Sequence, residues 1–380
     1  MDFDFTEDQR QLEDTLRRFV QRDYGFEQRR KLTASEQGWS REAWQQLAEL
    51  GALAINVPEA HGGMGFGPVE TLLAMQVFGP ALLLEPFVSS AVIAATVLAD
   101  SGDEAAQADL LPRLAAGETI ALLAHFEPAS RHDSGLVATR AVRSGDGFVL
   151  DGHKAVVVHA GAADELLVSA RTSGGAQDAE GVSLFRVSPK TPGVVLQSYP
   201  LIDGSRGAEV FLRSAYVPAT ARVGNEGAAL PAIERALDVG LAALLAESVG
   251  VQQALVDATV EYLKTRQQFG QPIGRFQALQ HRAADMVLHL EQSRSMSYLA
   301  ALRCTLQDKN ERRAALSAAK VVINQGGRFI GQQSVQLHGG MGMTDELQVS
   351  HWFKRLVALE ATFGDTDTHL QRFAQLRAAA

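Results

Sequence analysis

The sequence predicts an α+β protein in three consecutive parts: an all-helical N-terminal domain, a middle β domain built as a barrel or sandwich, and a C-terminal helical bundle. Three observations predict it. Residues 1–118 carry apolar side chains at helical spacing. Residues 119–225 break into short β-branched segments separated by Gly, Pro, Asp and Asn. Over 226–380 long amphipathic patterns return.

In the first part, FTEDQRQLEDTLRRFV sets Phe5, Leu12, Leu16 and Phe19 on one face, with Thr6 placed to cap the helix. WSREAWQQLAELGA repeats the design, with Ser40 as cap and Gly51 as stop. The glycine-rich NVPEAHGGMGFGPVETLLAMQVFG lacks a βαβ context, so it reads as a loop entering a helix rather than a dinucleotide fingerprint. In the middle part TIALLAHFEP, DELLVSARTS, GVSLFRVSP, GVVLQSYP and AEVFLRSAYVP read as strands. Ser144-Gly145-Asp146-Gly147 marks a hairpin between two more. The third part is organised around R-Q-Q-F-G-Q-P-I-G-R-F-Q (266–277), which lies between two helical patterns. Phe269-Gly270 followed by Pro272 forces a break there. A corner carrying an Arg, an aromatic ring and amides suits a planar, phosphate-bearing ligand: the guanidinium pairs with a diphosphate and the phenyl covers a ring face.

Composition narrows the function. The 380 residues suffice for two or three domains with a large core. A formal net charge of −9 argues against a nucleic-acid surface, which needs a basic stripe. One cysteine, Cys304, cannot close an internal disulfide, so a reducing cytoplasm is the expected compartment. The N-terminal MDFDFTEDQ has no basic-then-apolar signal pattern. The apolar run 81–99 is interrupted by Glu85 and Pro86, so no membrane span is expected there. His125, His132, His153 and His159 cluster in sequence without paired ligand spacing, and no metal site is expected.

The 266–277 stretch resembles the R-x-x-F-G-x-P-I-x-x-F-Q signature of the flavin-dependent acyl-CoA dehydrogenase family. Q-L-H-G-G-M-G-M (336–343) is similar to that family's second flavin-binding segment, and the likeness runs the whole length of the chain. The resemblance implies FAD as cofactor, with Arg266 and Gln277 on its diphosphate and ribityl or adenine portions and Phe269 on the adenine side. Gln336, Leu337, His338, Gly339 and Gly340 would receive the dinucleotide of a neighbouring subunit. Paired glycines suit that task, since backbone close to a phosphate leaves no room for a Cβ. Arg206 in D-G-S-R-G resembles the family's strand-turn arginine, a structural residue.

The middle domain departs from the family pattern. Where T-E-P-x-A-G-S-D is common, this chain has F-E-P-A-S-R-H-D (126–133). Phe126 therefore stands where a flavin-contacting Thr is usual. In K-A-V-V-V-H-A-G (154–161), Val156 and Val158 replace the aromatic and hydroxyl residues beside the isoalloxazine. Thr366 is the remaining flavin candidate. These changes resemble the branch of the small subunit of pimeloyl-CoA dehydrogenase. The catalytic base is displaced too. Phe363, in F-G-D, occupies the position where most members carry a Glu, and Gly240 matches a second branch's base position. Glu247, two turns further along that helix, interrupts the apolar run GLAALLAESVGV, where an unpaired carboxylate is costly to bury; it is the first candidate base. Asp365 is the second.

The resemblance therefore implies α,β-dehydrogenation of an acyl-CoA thioester, with electrons passed to an electron-transfer flavoprotein. It also implies a homotetramer, or an α2β2 heterotetramer with a sister subunit. Two alternatives follow from the missing base: a catalytically silent partner subunit, and a flavin oxidase or monooxygenase on the same fold.

Overall fold

The computed structural model describes residues 5–378. Six helices come first: α1 (Glu7–Asp23), α2 (Phe26–Ala34), α3 (Arg41–Glu49), α4 (Pro68–Ala81), α5 (Ala95–Ala99) and α6 (Glu104–Ala115). Eight strands follow: β1 (Ala121–Ala124), β2 (Arg140–Ser144), β3 (Gly147–Val158), β4 (Glu165–Arg171), β5 (Val182–Val187), β6 (Val194–Pro200), β7 (Arg206–Pro218) and β8 (Arg222–Val223). The rest is α7 (Leu230–Thr265), a small ribbon of β9 (Gln267–Gln268) and β10 (Gln271–Pro272), then α8 (Gln277–Arg303), α9 (Lys309–His338), α10 (Gln348–Ala361) and α11 (Thr366–Ala378). Helical, β and helical segments thus succeed one another as the patterning predicts.

Local signals operate where the sequence sets them. The Thr6 hydroxyl accepts from the Gln9 amide while the Gln9 side chain returns to the Thr6 amide, a complete capping box. Leu12, Leu16 and Phe19 are buried on one face of α1. Ser40 accepts from the Ala43 amide to start α3, and Gly51 follows its end with a φ of 76°. β2 and β3 form the expected hairpin, with Ser144 opposite Gly147.

Contacts gather into two compact units, each drawn from separated segments: Met1–Arg30, Pro68–Leu83 and Leu241–Ala380 in the first, Lys31–Gly67 and Leu84–Gly240 in the second. Within the first, α4 and α7 approach backbone to backbone. A Cβ on Gly79 would stand 2.5 Å from the Glu247 carbonyl oxygen, and one on Gly250 2.6 Å from that of Gln76, so both positions need glycine. By length and composition α7 could cross a membrane, but 89% of its most apolar 18-residue window is buried inside the protein, which makes it a core helix.

The second unit holds one mixed sheet, ordered β6-β7-β3-β2-β4-β5-β8, with β1 paired in parallel to β4. Leu166, Leu167 and Val168 on β4 and Val182, Leu184 and Phe185 on β5 are all buried, so both faces of these strands are covered. A rare π-helix, Phe87–Ala94, begins after Pro86 and runs into α5. The Arg206 guanidinium donates to the Ser35 carbonyl at 2.7 Å, a structural bond. On β3 the register with β7 slips between Lys154 and Val157, so Ala155 and Val156 oppose Glu209 alone.

Candidate active site

The corner at the end of α7 is a hairpin of two residues. Gln268 pairs with Gln271, and the loop residues Phe269 and Gly270 both lie in the left-handed region, with φ of 55° and 76°. That is the twist-compatible two-residue turn, in which glycine is at ease and phenylalanine is strained. Phe269 is 90% exposed, touching Phe276 edge-on at 6.1 Å. Arg266 and Gln277 are exposed beside it, and the Arg266 side chain makes no ion pair or hydrogen bond among the described residues.

α9 ends nearby within the same unit. Tyr262, one turn before Arg266, stacks on His338 with ring centroids 4.4 Å apart. Gln336, Gly339 and Gly340 are exposed, and a Cβ on either glycine would stand in open space. Leu337 and His338 lie differently from the sequence expectation. Both are buried, and the His338 Nδ1 bonds the Ser334 carbonyl at 2.8 Å. The apolar face of α9 takes these two side chains inward, so they brace the segment and offer no side chain to a ligand.

These features fit the phosphate-bearing part of FAD: an exposed, unpaired guanidinium, an exposed aromatic ring on a left-handed backbone, and glycines that leave space for close approach. The ring-facing candidates are different. Phe126 leans edge-on against His125 at 5.2 Å, and Val156 and Val158 are hydrocarbon, so these three bring no side-chain donor. Val156 is half exposed with a φ of 51°, rare for a β-branched residue. Thr366 opens α11, its hydroxyl 3.4 Å from the Asn324 amide nitrogen.

Glu247 is paired by its surroundings. The carboxylate that is costly to bury alone is answered by a two-pronged ion pair: Arg355 Nε donates to Oε1 at 2.6 Å and Nη2 to Oε2 at 2.7 Å. Both carboxylate oxygens are engaged, as suits a structural pair. Its neighbour Lys354 pairs with Asp345 instead, at 2.7 Å. Asp365 is exposed at the N-terminus of α11, with Oδ1 accepting from the Thr368 amide at 2.9 Å.

Sequence reasoning missed a buried polar chain in the second unit. Lys154, fully buried on β3, donates to Glu127 Oε1 at 2.7 Å and to Ser169 Oγ at 3.1 Å. Ser169 meets His125 Nδ1 at 2.9 Å, and His125 Nε2 donates to the Ser134 carbonyl at 2.9 Å. Burial drives the Lys154 ammonium down to about 8 against the pull of Glu127. Burial alone would raise Glu127; Lys154 and the bonds from Thr139 outweigh it and hold the carboxyl below its usual range. The signal was a lone lysine at an inward position of an apolar strand.

His125 makes a pH prediction. Burial, reinforced by the Lys154 charge, lowers the imidazole from 6.5 to about 4. Between these values the unfolded chain binds a proton that the folded chain refuses. Stability therefore falls as pH drops through that window, by on the order of 3 kcal/mol. Urea unfolding from pH 7 to 4 should show this slope, and His125→Gln should flatten it.

Comparison with known proteins agrees with this geometry. The acyl-CoA dehydrogenase N-terminal domain matches residues 6–118, the middle domain 123–213 and the C-terminal domain 227–376. The chain is 28% identical to a probable acyl-CoA dehydrogenase, YngJ, of Bacillus subtilis, over 99% of each chain. It is 30% identical to an L-prolyl-[peptidyl-carrier protein] dehydrogenase of Pseudomonas fluorescens, over 85% of this chain and 87% of the relative. Among solved structures it resembles the ChsE4–ChsE5 complex from Mycobacterium tuberculosis, with a TM-score of 0.88 and 26% identity over the whole of both chains. With all three domain signatures matched in order along the chain, it belongs to the acyl-CoA dehydrogenase family and is an FAD-dependent oxidoreductase of that class.

Proposed function

We propose that this chain takes part in α,β-dehydrogenation of an acyl-CoA thioester, electrons leaving to an electron-transfer flavoprotein. The observation that carries this reading is the exposed, unpaired Arg266 beside Phe269 and the open glycines of α9's end. When bound, FAD would supply the acceptor for the hydride of the β carbon. Arg266 and Gln277 would hold its diphosphate, Phe269 would cover the adenine, and Gly339-Gly340 would serve a neighbouring chain's dinucleotide. Two chains are then needed for each site, in a homotetramer or an α2β2 assembly.

The proton at the α carbon needs a base. With Glu247 held by Arg355, Asp365 is the carboxylate we assign, on the turn that carries Phe363. Asp365→Asn is a clean test, because Asn also caps helices well. The variant should keep its FAD and slow anaerobic flavin bleaching by acyl-CoA by about 10²–10⁴-fold. Straight, branched, dicarboxyl and cyclic acyl-CoAs, with a carrier-protein thioester beside them, make the panel.

A second reading has its own support. Phe363 in the base position, and hydrocarbon at Val156 and Val158, suit a silent partner subunit that completes a sister chain's flavin site. Colourless or inert protein when the chain is purified alone would favour it, whereas wild-type bleaching by Asp365→Asn would remove Asp365 as the base and leave the chain active. Steady turnover with oxygen on a non-thioester substrate would favour an oxidase.

A further inference from the structure

The turn between α10 and α11 is held far more firmly than a helix connection requires. Phe363 has a φ of 58° and Gly364 one of 112°, so an aromatic residue stands in the left-handed region. Such strain of about 1–3 kcal/mol persists only where the surroundings impose it, and it gathers at functional sites. Here the surroundings reach in from α9 and α11. The Lys320 ammonium, on a residue 1% exposed, donates to the Leu359 carbonyl at 2.6 Å and the Thr362 carbonyl at 3.1 Å. His369, fully buried, bonds the Phe363 carbonyl through Nε2 at 3.0 Å and the Ser317 hydroxyl through Nδ1 at 3.1 Å. Asn324 adds longer bonds to the Glu360 carbonyl and the Thr366 hydroxyl, each 3.4 Å. At Gly364 a Cβ would come within 2.9 Å of the His369 ring.

Five groups in and beside this turn, the carbonyls of Leu359, Glu360, Thr362 and Phe363 and the Thr366 hydroxyl, are thus bonded by side chains from α9 and α11. Burial pushes the Lys320 ammonium down to about 7 against the pull of Glu360 and Asp365, so holding this charge inside is itself costly. A glycine and a water molecule would close an ordinary helix end at no such expense. What the clamp secures is the direction in which residues 363 and 365 leave the backbone.

We infer that Lys320 and His369 are positioning residues that hold the Phe363–Asp365 turn in a single geometry at the acyl site. The inference rests on the dehydrogenase reading for the turn's role; the rigidity of the turn does not.

The test places 4-fluorophenylalanine at position 363 alone and records its ¹⁹F resonance in the full-length protein. Wild type should give one narrow line. Lys320→Met, which removes a buried charge and should still fold, is expected to split that line or broaden it at least twofold, and His369→Leu should do the same. A bracing role of no consequence for the turn would shift the melting temperature and leave the line of the folded protein unchanged; unchanged lines in both variants overturn the inference. In protein that carries FAD, Lys320→Met should also slow bleaching by acyl-CoA about 10-fold with KM and flavin content unchanged; a broadened line with wild-type bleaching overturns the positioning role. Failure of the dehydrogenase reading would appear separately, in the flavin content and bleaching of the wild type.

Discussion

Arg355→Leu should destabilise the protein by about 3–5 kcal/mol, the usual cost of leaving a buried carboxylate without its partner. Glu247 is 3% exposed and lies where α7 meets the closely packed α4. Its two oxygens depend on the Nε and Nη2 of Arg355, at 2.6 and 2.7 Å. Removing the guanidinium strands a charge that water cannot reach. Removing both partners, as Glu247→Leu with Arg355→Leu, should recover most of the loss, because well-packed hydrocarbon is often as stable as a buried ion pair. Chemical unfolding of the two single variants and the double variant measures the coupling. A single-variant loss under about 1 kcal/mol would mean that the pair is hydrated and that Glu247 again deserves testing as the base.

Arg266→Ala should act in the opposite manner, sparing the fold and losing the flavin. The Arg266 side chain touches no partner among the described residues, so its removal should change stability by no more than about 0.5 kcal/mol. Charge-assisted bonds to a diphosphate are worth about 1.5–3 kcal/mol, so the FAD dissociation constant should rise about 10- to 100-fold. Arg266→Lys should recover only part, since an ammonium cannot pair with two oxygens in a plane. Flavin absorbance per chain after dialysis, with titration of FAD into stripped protein, provides the measurement. Wild-type retention by Arg266→Ala would remove the phosphate-binding role of the corner.

Glu247 marks how far local sequence reaches. The sequence marked Glu247 as anomalous because a charged residue stood in an apolar run. It could not say that the answering charge lay 108 residues away. The buried lysines show the same limit. Lys154 finds Glu127 across 27 residues, and Lys320 finds the Thr362 carbonyl across 42. In each case the local pattern shows that a partner is needed, and only the packing of other elements names it.

By itself the sequence determined the succession of helical, β and helical segments, the caps at Thr6 and Ser40, the 144–147 hairpin and the break between helices at 266–277. These are written in neighbouring residues, where spacing, turn chemistry and capping act over a few positions. Tertiary structure alone decided that Glu247 is neutralised by Arg355, that Leu337 and His338 face inward, and that the turn at Phe363 is gripped by Lys320 and His369. Those outcomes depend on which distant groups burial brings within about 3 Å of one another, and a buried charge or carbonyl takes whatever partner the fold supplies there.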